Sequence, residues 1–274
     1  MKIFSILQFI LWQKKIDFME QNKLEQIDRR PDEKNWEKIN SDLTTPGKSN
    51  FIILAQNKDY FSKSFALPSS SYTKTFFSYI ALLILGFAGI YGTSNYLNSL
   101  RAHTFDISMS WEQNIPLIPN MIFFYLSVYI FPGFLLFCGK ESEIHDFVFL
   151  SLKAMFASAL IFLLFPTTVA FAWPPQPTEY KFWFDILVAL DRPHNLFPSY
   201  HICFSYLLIR FLLPKGGPSY KTFFILWYLM VCLSIVLVHQ HHVVDILGGH
   251  FMGVFFWNYY QKKRRLTVTS SSSI

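Results

Sequence analysis

Near the C-terminal end of the chain, His241 and Asp245 stand four residues apart. On one face of a helix that spacing lets a carboxylate accept a hydrogen bond from one ring nitrogen of a histidine. The second nitrogen is then held as a lone pair pointing away from the carboxylate. Such a histidine can attack phosphorus, and the carboxylate behind it offsets the charge of the phosphorylated ring. A complementary run lies upstream, DRPHNLFPSYH at 191–201. Ser199, at the head of an apolar run, offers a hydroxyl and a helix N-terminal amide to phosphate oxygens. His201 is placed to protonate a departing alkoxide, and Arg192 can hold two phosphate oxygens with its planar fork.

The elements that must position these groups belong to a membrane protein. The chain is 52% hydrophobic, 19% aromatic and 15% charged, and its apolar residues come in unbroken runs rather than stripes. Runs at roughly 76–96, 119–138, 147–172, 199–213, 222–238 and 243–260 predict an all-α integral membrane bundle of about six spans. The basic cluster Lys262, Lys263, Arg264 and Arg265 follows the last run directly, which places the C-terminus in the cytoplasm. Six spans then put the N-terminus there too. Both chemical clusters fall on the opposite, extracytoplasmic face, where an outer loop enters the fourth span and where the fifth turns into the sixth. A net charge of +6 with a pI near 9.1 raises nucleic acid as a partner, but the excess sits at membrane edges, so none is expected.

The domain reading is a polar N-terminal cytoplasmic tail at 1–72, a six-span membrane domain at 73–261, and a basic then serine-rich cytoplasmic tail at 262–274. Residues 1–12 read as an interfacial helix or as sequence ahead of a start at Met19. No small-residue cleavage site follows them. Trp173, Pro174, Pro175 and Pro177 are expected to stop a helix, with a short amphipathic stretch at 180–190 before Pro193 and Pro198. Cys138, Cys203 and Cys232 read as buried thiols. Other readings of the histidines exist: His239, His242 and His250 fall near one face of an unbroken helix and could bind a metal, and His241 with Asp245 could simply staple two helices. His194 reads as a loop residue, His250 as a packing residue, and Ser199 also suits a helix N-cap.

FPSYH at 197–201, then Ser234, His241 and Asp245 in order, resemble the second and third signature motifs of the type 2 phosphatidic acid phosphatase superfamily, P-S-x-H and S-R-x5-H-x3-D. The resemblance implies His241 as nucleophile, Asp245 as its orienter, His201 as leaving-group acid and Ser199 as a phosphate contact. Two departures stand out. The upstream K-x6-R-P motif has no clean counterpart, since Lys181 lies eleven residues before Arg192, and Ile235 takes the place of the third-motif arginine. Arg192, Lys181 and His239 are left to supply the phosphate cradle. DRPHNLFPSYH, HQHHVVDILGG and the 111–132 segment resemble the inositol phosphorylceramide synthase and sphingomyelin synthase branch.

The expectation is a membrane-embedded lipid phosphatase or phosphotransferase that works through a phosphohistidine, with a lipid phosphate as substrate and no metal or other cofactor. A headgroup transferase is the alternative within that chemistry, and a non-catalytic lipid-phosphate-binding protein the alternative outside it.

Overall fold

The computed structural model describes residues 68–171, 179–192 and 194–271. Most of the polar N-terminal tail, the Trp173–Pro177 helix stop, Pro193 and the last serines lie outside those residues. Among the described residues the fold is helical with no strands; one isolated parallel bridge joins Phe105 to Thr167.

Seven helices matter for the site: α1 (Ser70–Ser99), α2 (Pro119–Cys138), α3 (Glu141–Leu164), α4 (Lys181–Leu190), α5 (Tyr200–Leu212), α6 (Pro218–Leu237) and α7 (Val243–Ser271). Each expected span coincides with a helix, and four of them (α1, α2, α3 and α6) are long and apolar enough to cross a membrane. α5 has 13 residues, short of the roughly 20 a perpendicular crossing needs. α7 has the opposite property: its helix runs on from the apolar stretch through Lys262–Arg265 to Ser271, because Lys and Arg are good helix formers.

Local chemistry sets the ends. α3 begins at Glu141 rather than 147, where the Glu143 carboxylate accepts the Lys140 N–H at 2.8 Å. It stops at Leu164 rather than 172, because Phe165 precedes Pro166 and is pushed out of the helical region. α2 is broken, with Pro119 and Pro132 each opening a 3-10 turn. α1 contains a π-helical turn at Phe87–Tyr91, where the Gly92 N–H reaches the Phe87 carbonyl. The 180–190 stretch is α4, as its amphipathic pattern requires.

α7 presses against α5 through glycines. A Cβ on Gly249 would stand 2.3 Å from the Ser199 carbonyl oxygen, and one on Gly253 would stand 2.8 Å from the Tyr206 ring. This small-residue spacing lets two helices approach backbone to backbone. It brings the two sequence clusters together: the Ser199 N–H donates to the Asp245 carbonyl at 3.1 Å. Of the cysteines, Cys203 is buried, whereas Cys138 and Cys232 are half-buried because they lie toward the outside of their helices.

Candidate active site

The turn between α6 and α7 carries the nucleophile candidate. α6 ends in a Schellman-type cap: His239 N–H donates to the Val236 carbonyl and Gln240 N–H to the Ile235 carbonyl, both within 3.0 Å. His239 takes the left-handed conformation there, with φ 58°, where glycine is usual and a side chain costs about 1–2 kcal/mol. His241 N–H also donates to the Ile235 carbonyl at 3.0 Å. The position of the missing motif arginine is thus a fully buried isoleucine whose carbonyl holds the turn.

His241 precedes α7 rather than sharing a helical face with Asp245, yet the two meet. Asp245, in the first turn of α7, has Oδ2 at 2.8 Å from the His242 N–H and 3.2 Å from His241 Nδ1. The carboxylate satisfies a helix-start amide and fixes the imidazole together. Nδ1 thus donates, and Nε2 keeps its lone pair with no partner among the described residues. The His241 and Asp245 side chains are 2% and 0% exposed, so the pair is shielded from bulk water.

His201 stands in the first turn of α5, its ring centroid 6.0 Å from that of His241. An attack distance of roughly 3–3.5 Å plus a hydrogen-bond reach of roughly 2.6–3.2 Å is of this scale. Its surroundings are richer than the motif suggests. Nδ1 faces Asp191 Oδ2 at 3.6 Å and Nε2 faces the Tyr129 hydroxyl at 3.2 Å. Asp191 in turn accepts hydrogen bonds from Tyr91 at 2.5 Å and Tyr125 at 2.6 Å. The site therefore contains two carboxylate–histidine pairs, Asp245–His241 and Asp191–His201. Asp191 and the three tyrosines were given no role by the sequence reading. The available signal was an aspartate bordering a motif inside an apolar stretch, and Tyr125 and Tyr129 one helical turn apart.

The end of α1 clamps the loop that carries Asp191. Asn95 donates to the Arg192 carbonyl at 2.6 Å, Asn98 to the Asn195 side-chain oxygen at 3.2 Å, and Asn195 to the Tyr91 carbonyl at 3.0 Å. A fully buried carboxylate holds the other side. Glu112 accepts from the Val243 N–H at 2.6 Å, the Met109 N–H at 2.7 Å and His242 Nδ1 at 3.1 Å. His242 Nε2 accepts from the Ala170 N–H at 3.1 Å, so both nitrogens of His242 are engaged. Glu112→Gln replaces one acceptor oxygen with a donor facing a buried N–H, worth about 1–3 kcal/mol. A lower thermal midpoint in detergent and weaker turnover are expected; unchanged values of both would remove Glu112 from the positioning of α7.

The predicted cradle residues separate. Ser199 occupies the N-cap position of α5 but makes no capping bond. Its N–H is spent on Asp245, and its hydroxyl is buried without a partner, as is Gln240 Nε2. A bound polar ligand or ordered water would satisfy these buried atoms. The Arg192 side chain is exposed. Lys181 pairs with Asp185 at 2.7 Å, both more than half exposed. His239 donates through Nε2 to the Ile115 carbonyl at 3.0 Å and stacks on Phe171; burial lowers its pKa, the bond to Ile115 opposing. Only its Nδ1 is left for a ligand. His194 is half-buried, and burial followed by the charge of Arg192 lowers its pKa.

In the metal reading of His239, His242 and His250, both nitrogens of His242 are already engaged, as are Nε2 of His239 and Nδ1 of His250, the latter 2.8 Å from the Tyr228 hydroxyl. A different set, Asp191, His201 and His241, places one potential ligand atom from each within 4.8 Å of the others. Both Asp191 oxygens accept from phenols and His241 Nδ1 is held by Asp245, whereas His201 Nδ1 is buried without a hydrogen-bond partner among the described residues, 3.6 Å from Asp191.

A family profile described as the PAP2 superfamily matches residues 122–266, just over half of the chain. No curated protein and no solved structure matches. The matched stretch opens in α2, closes at the basic end of α7, and contains both carboxylate–histidine pairs. With that coverage the chain belongs to the PAP2 superfamily, whose members are phosphatases and phosphotransferases.

Proposed function

We propose that this membrane protein hydrolyses or transfers phosphate esters of lipids through a phosphohistidine on His241, without a metal ion. The observation that carries the reading is the facing arrangement of Asp245–His241 and Asp191–His201, buried at one end of α5 and α7. In the first step His241 Nε2 attacks phosphorus in line and the P–O bond to the lipid alcohol breaks. The departing oxygen takes a proton from His201 Nε2, displacing the Tyr129 hydroxyl that lies 3.2 Å from it, while Nδ1 stays toward Asp191. In the second, His201 takes the proton of water or an acceptor hydroxyl, whose oxygen attacks phosphorus as the P–N bond breaks. His241 is then restored. Ser199 and Gln240 hold the phosphoryl oxygens from inside and Arg192 reaches them from its exposed position, while Lys181 stays paired with Asp185 and His239 has only Nδ1 to offer.

The orientation follows from charge. Lys262 lies 17 residues beyond Asp245 on one continuous helix, a rise of about 26 Å at ~1.5 Å per residue. That approaches the ~30 Å hydrocarbon core, so the basic cluster and the histidines fall at opposite membrane faces. With the basic end cytoplasmic, both termini are cytoplasmic and the histidines open to the extracytoplasmic side.

The thinned cationic cradle, with buried Ile235 where an arginine is usual, favours a second reading as well: transfer of a phospho-headgroup to a lipid alcohol, as in the inositol phosphorylceramide and sphingomyelin synthase branch. One experiment separates the two. Membranes containing the protein are incubated in EDTA with labelled phosphatidic acid and other phospholipids, with and without ceramide. Inorganic phosphate identifies the hydrolase and a new phospholipid identifies the transferase. Turnover that vanishes in EDTA and returns with a divalent ion would overturn the metal-free scheme; no turnover of any lipid would favour a binding protein.

A further inference from the structure

α3 carries a cation inside its apolar run. Lys153 lies twelve residues after Glu141 in a helix of 24 residues, with Phe149, Leu152 and Phe156 on the same side. A lysine within a membrane-spanning segment is costly unless its ammonium finds a partner, and by default marks a functional site. Lys153 Nζ lies 5.5 Å from the Tyr259 ring centroid on α7, and among the described residues no ion pair includes it. The nearby carboxylate of Asp146 is taken by the Tyr260 hydroxyl at 2.8 Å and by His145.

The lysine borders a groove of about 580 Å³ between three helices, walled by Ile90 of α1, by Phe149, Leu152 and Phe156 of α3, and by Phe255 and Tyr259 of α7. The volume is within the roughly 300–1,000 Å³ of sites that take small organic ligands. The wall is almost entirely apolar. Tyr259 follows Asp245 by 14 residues on α7, about 21 Å along the axis. Phe255 follows Asp245 by ten residues, about 15 Å, so the groove runs from near mid-membrane toward the face opposite the histidines, with Lys153 and Tyr259 at its far end. Just past it, α7 presents Lys262, Lys263, Arg264 and Arg265, all exposed.

We propose that this groove binds an anionic phospholipid of the leaflet at that face, one acyl chain along the phenylalanine wall and the phosphate against Lys153. Charge complementarity selects the occupant. An acyl chain satisfies the apolar wall, and a phosphate supplies the counter-charge that no side chain provides. A headgroup with net negative charge also meets the four cations beyond the mouth without bringing an ammonium among them.

The test uses His241→Ala protein, so that no turnover consumes the probe, purified in detergent and examined by native mass spectrometry. Phosphatidylglycerol and phosphatidylcholine of identical chains compete. The parent is expected to retain phosphatidylglycerol about fivefold over phosphatidylcholine, and Lys153→Met, which keeps the stem volume, to lose most of that preference. Equal retention by the parent would overturn the proposal. So would a preference that survives Lys153→Met and disappears only when Lys262–Arg265 are neutralised. If Lys153→Met does not fold, Phe156→Trp with Lys153 intact replaces it: brominated phosphatidylglycerol should quench the tryptophan more than brominated phosphatidylcholine, and equal quenching would refute the site.

Discussion

His241→Ala is expected to lower turnover of any lipid phosphate by about four to six orders of magnitude, as removal of a nucleophile does in other covalent mechanisms. The size follows from the arrangement. Nε2 is the ring nitrogen of His241 with a free lone pair, since Nδ1 is held 3.2 Å from Asp245. The two neighbouring histidines are poor substitutes: His242 has both nitrogens engaged by Glu112 and Ala170, and the His239 ring is stacked on Phe171 with Nε2 on Ile115. Acid-labile phosphate should label wild-type protein quenched during turnover and be absent from His241→Ala. A variant with near-normal activity on every lipid phosphate tried would sink the phosphohistidine scheme, whatever the substrate.

The second large effect concerns Asp191, a positioning residue that acts through His201. Asp191→Asn keeps the shape but removes the charge that two phenols and an imidazole converge on. Asparagine accepts through one oxygen only, so Tyr91 or Tyr125 loses its acceptor and the His201 ring its orienting carboxylate. Loss of general-acid help is worth about 10²–10⁴-fold in rate, and a drop of that order in kcat is expected, with KM changing less. A merely structural role is separated by the leaving group. p-Nitrophenyl phosphate releases a stabilised phenolate that needs no proton, so Asp191→Asn and His201→Ala should recover much of the lost rate on it, while His241→Ala should not. If the Asp191 variant were equally slow on both substrates, the dyad would have no part in proton transfer.

These two residues show how differently the site was legible. His241 and Asp245 are close in the chain, so their pairing survives even though His241 lies ahead of α7 rather than on its face: a helix-start carboxylate reaches back to its own first amides, and with them to the residue just before. Asp191 meets its partners across spans of 66 to 100 residues, to Tyr125 and Tyr91. Nothing local encodes such contacts. They depend on the π turn in α1, the breaks in α2 and the approach of three helices.

Glu112 teaches the same lesson from the other direction. In the sequence it is one acidic residue in a polar loop; in the structure it is fully buried, bound to the first amide of α7 and to His242. A carboxylate becomes a structural pin only when a helix N-terminus is brought to it, and 131 residues separate Glu112 from Val243. Conversely, charge and proximity in the chain point to Arg192, Lys181 and His239. The fold leaves Arg192 exposed, commits Lys181 to Asp185, and turns His239 toward Ile115.

By itself the sequence determined what depends on composition and short spacing: apolar runs long enough for lipid, and the motif pairs Ser199–His201 and His241–Asp245. Tertiary structure decided which buried polar groups complete the site, because a hydrogen bond between distant segments exists only once packing has brought its two ends within about 3 Å. It also decided that Ile235 stands buried where an arginine is usual, and that Lys153 lies beside an apolar groove with no carboxylate paired to it among the described residues.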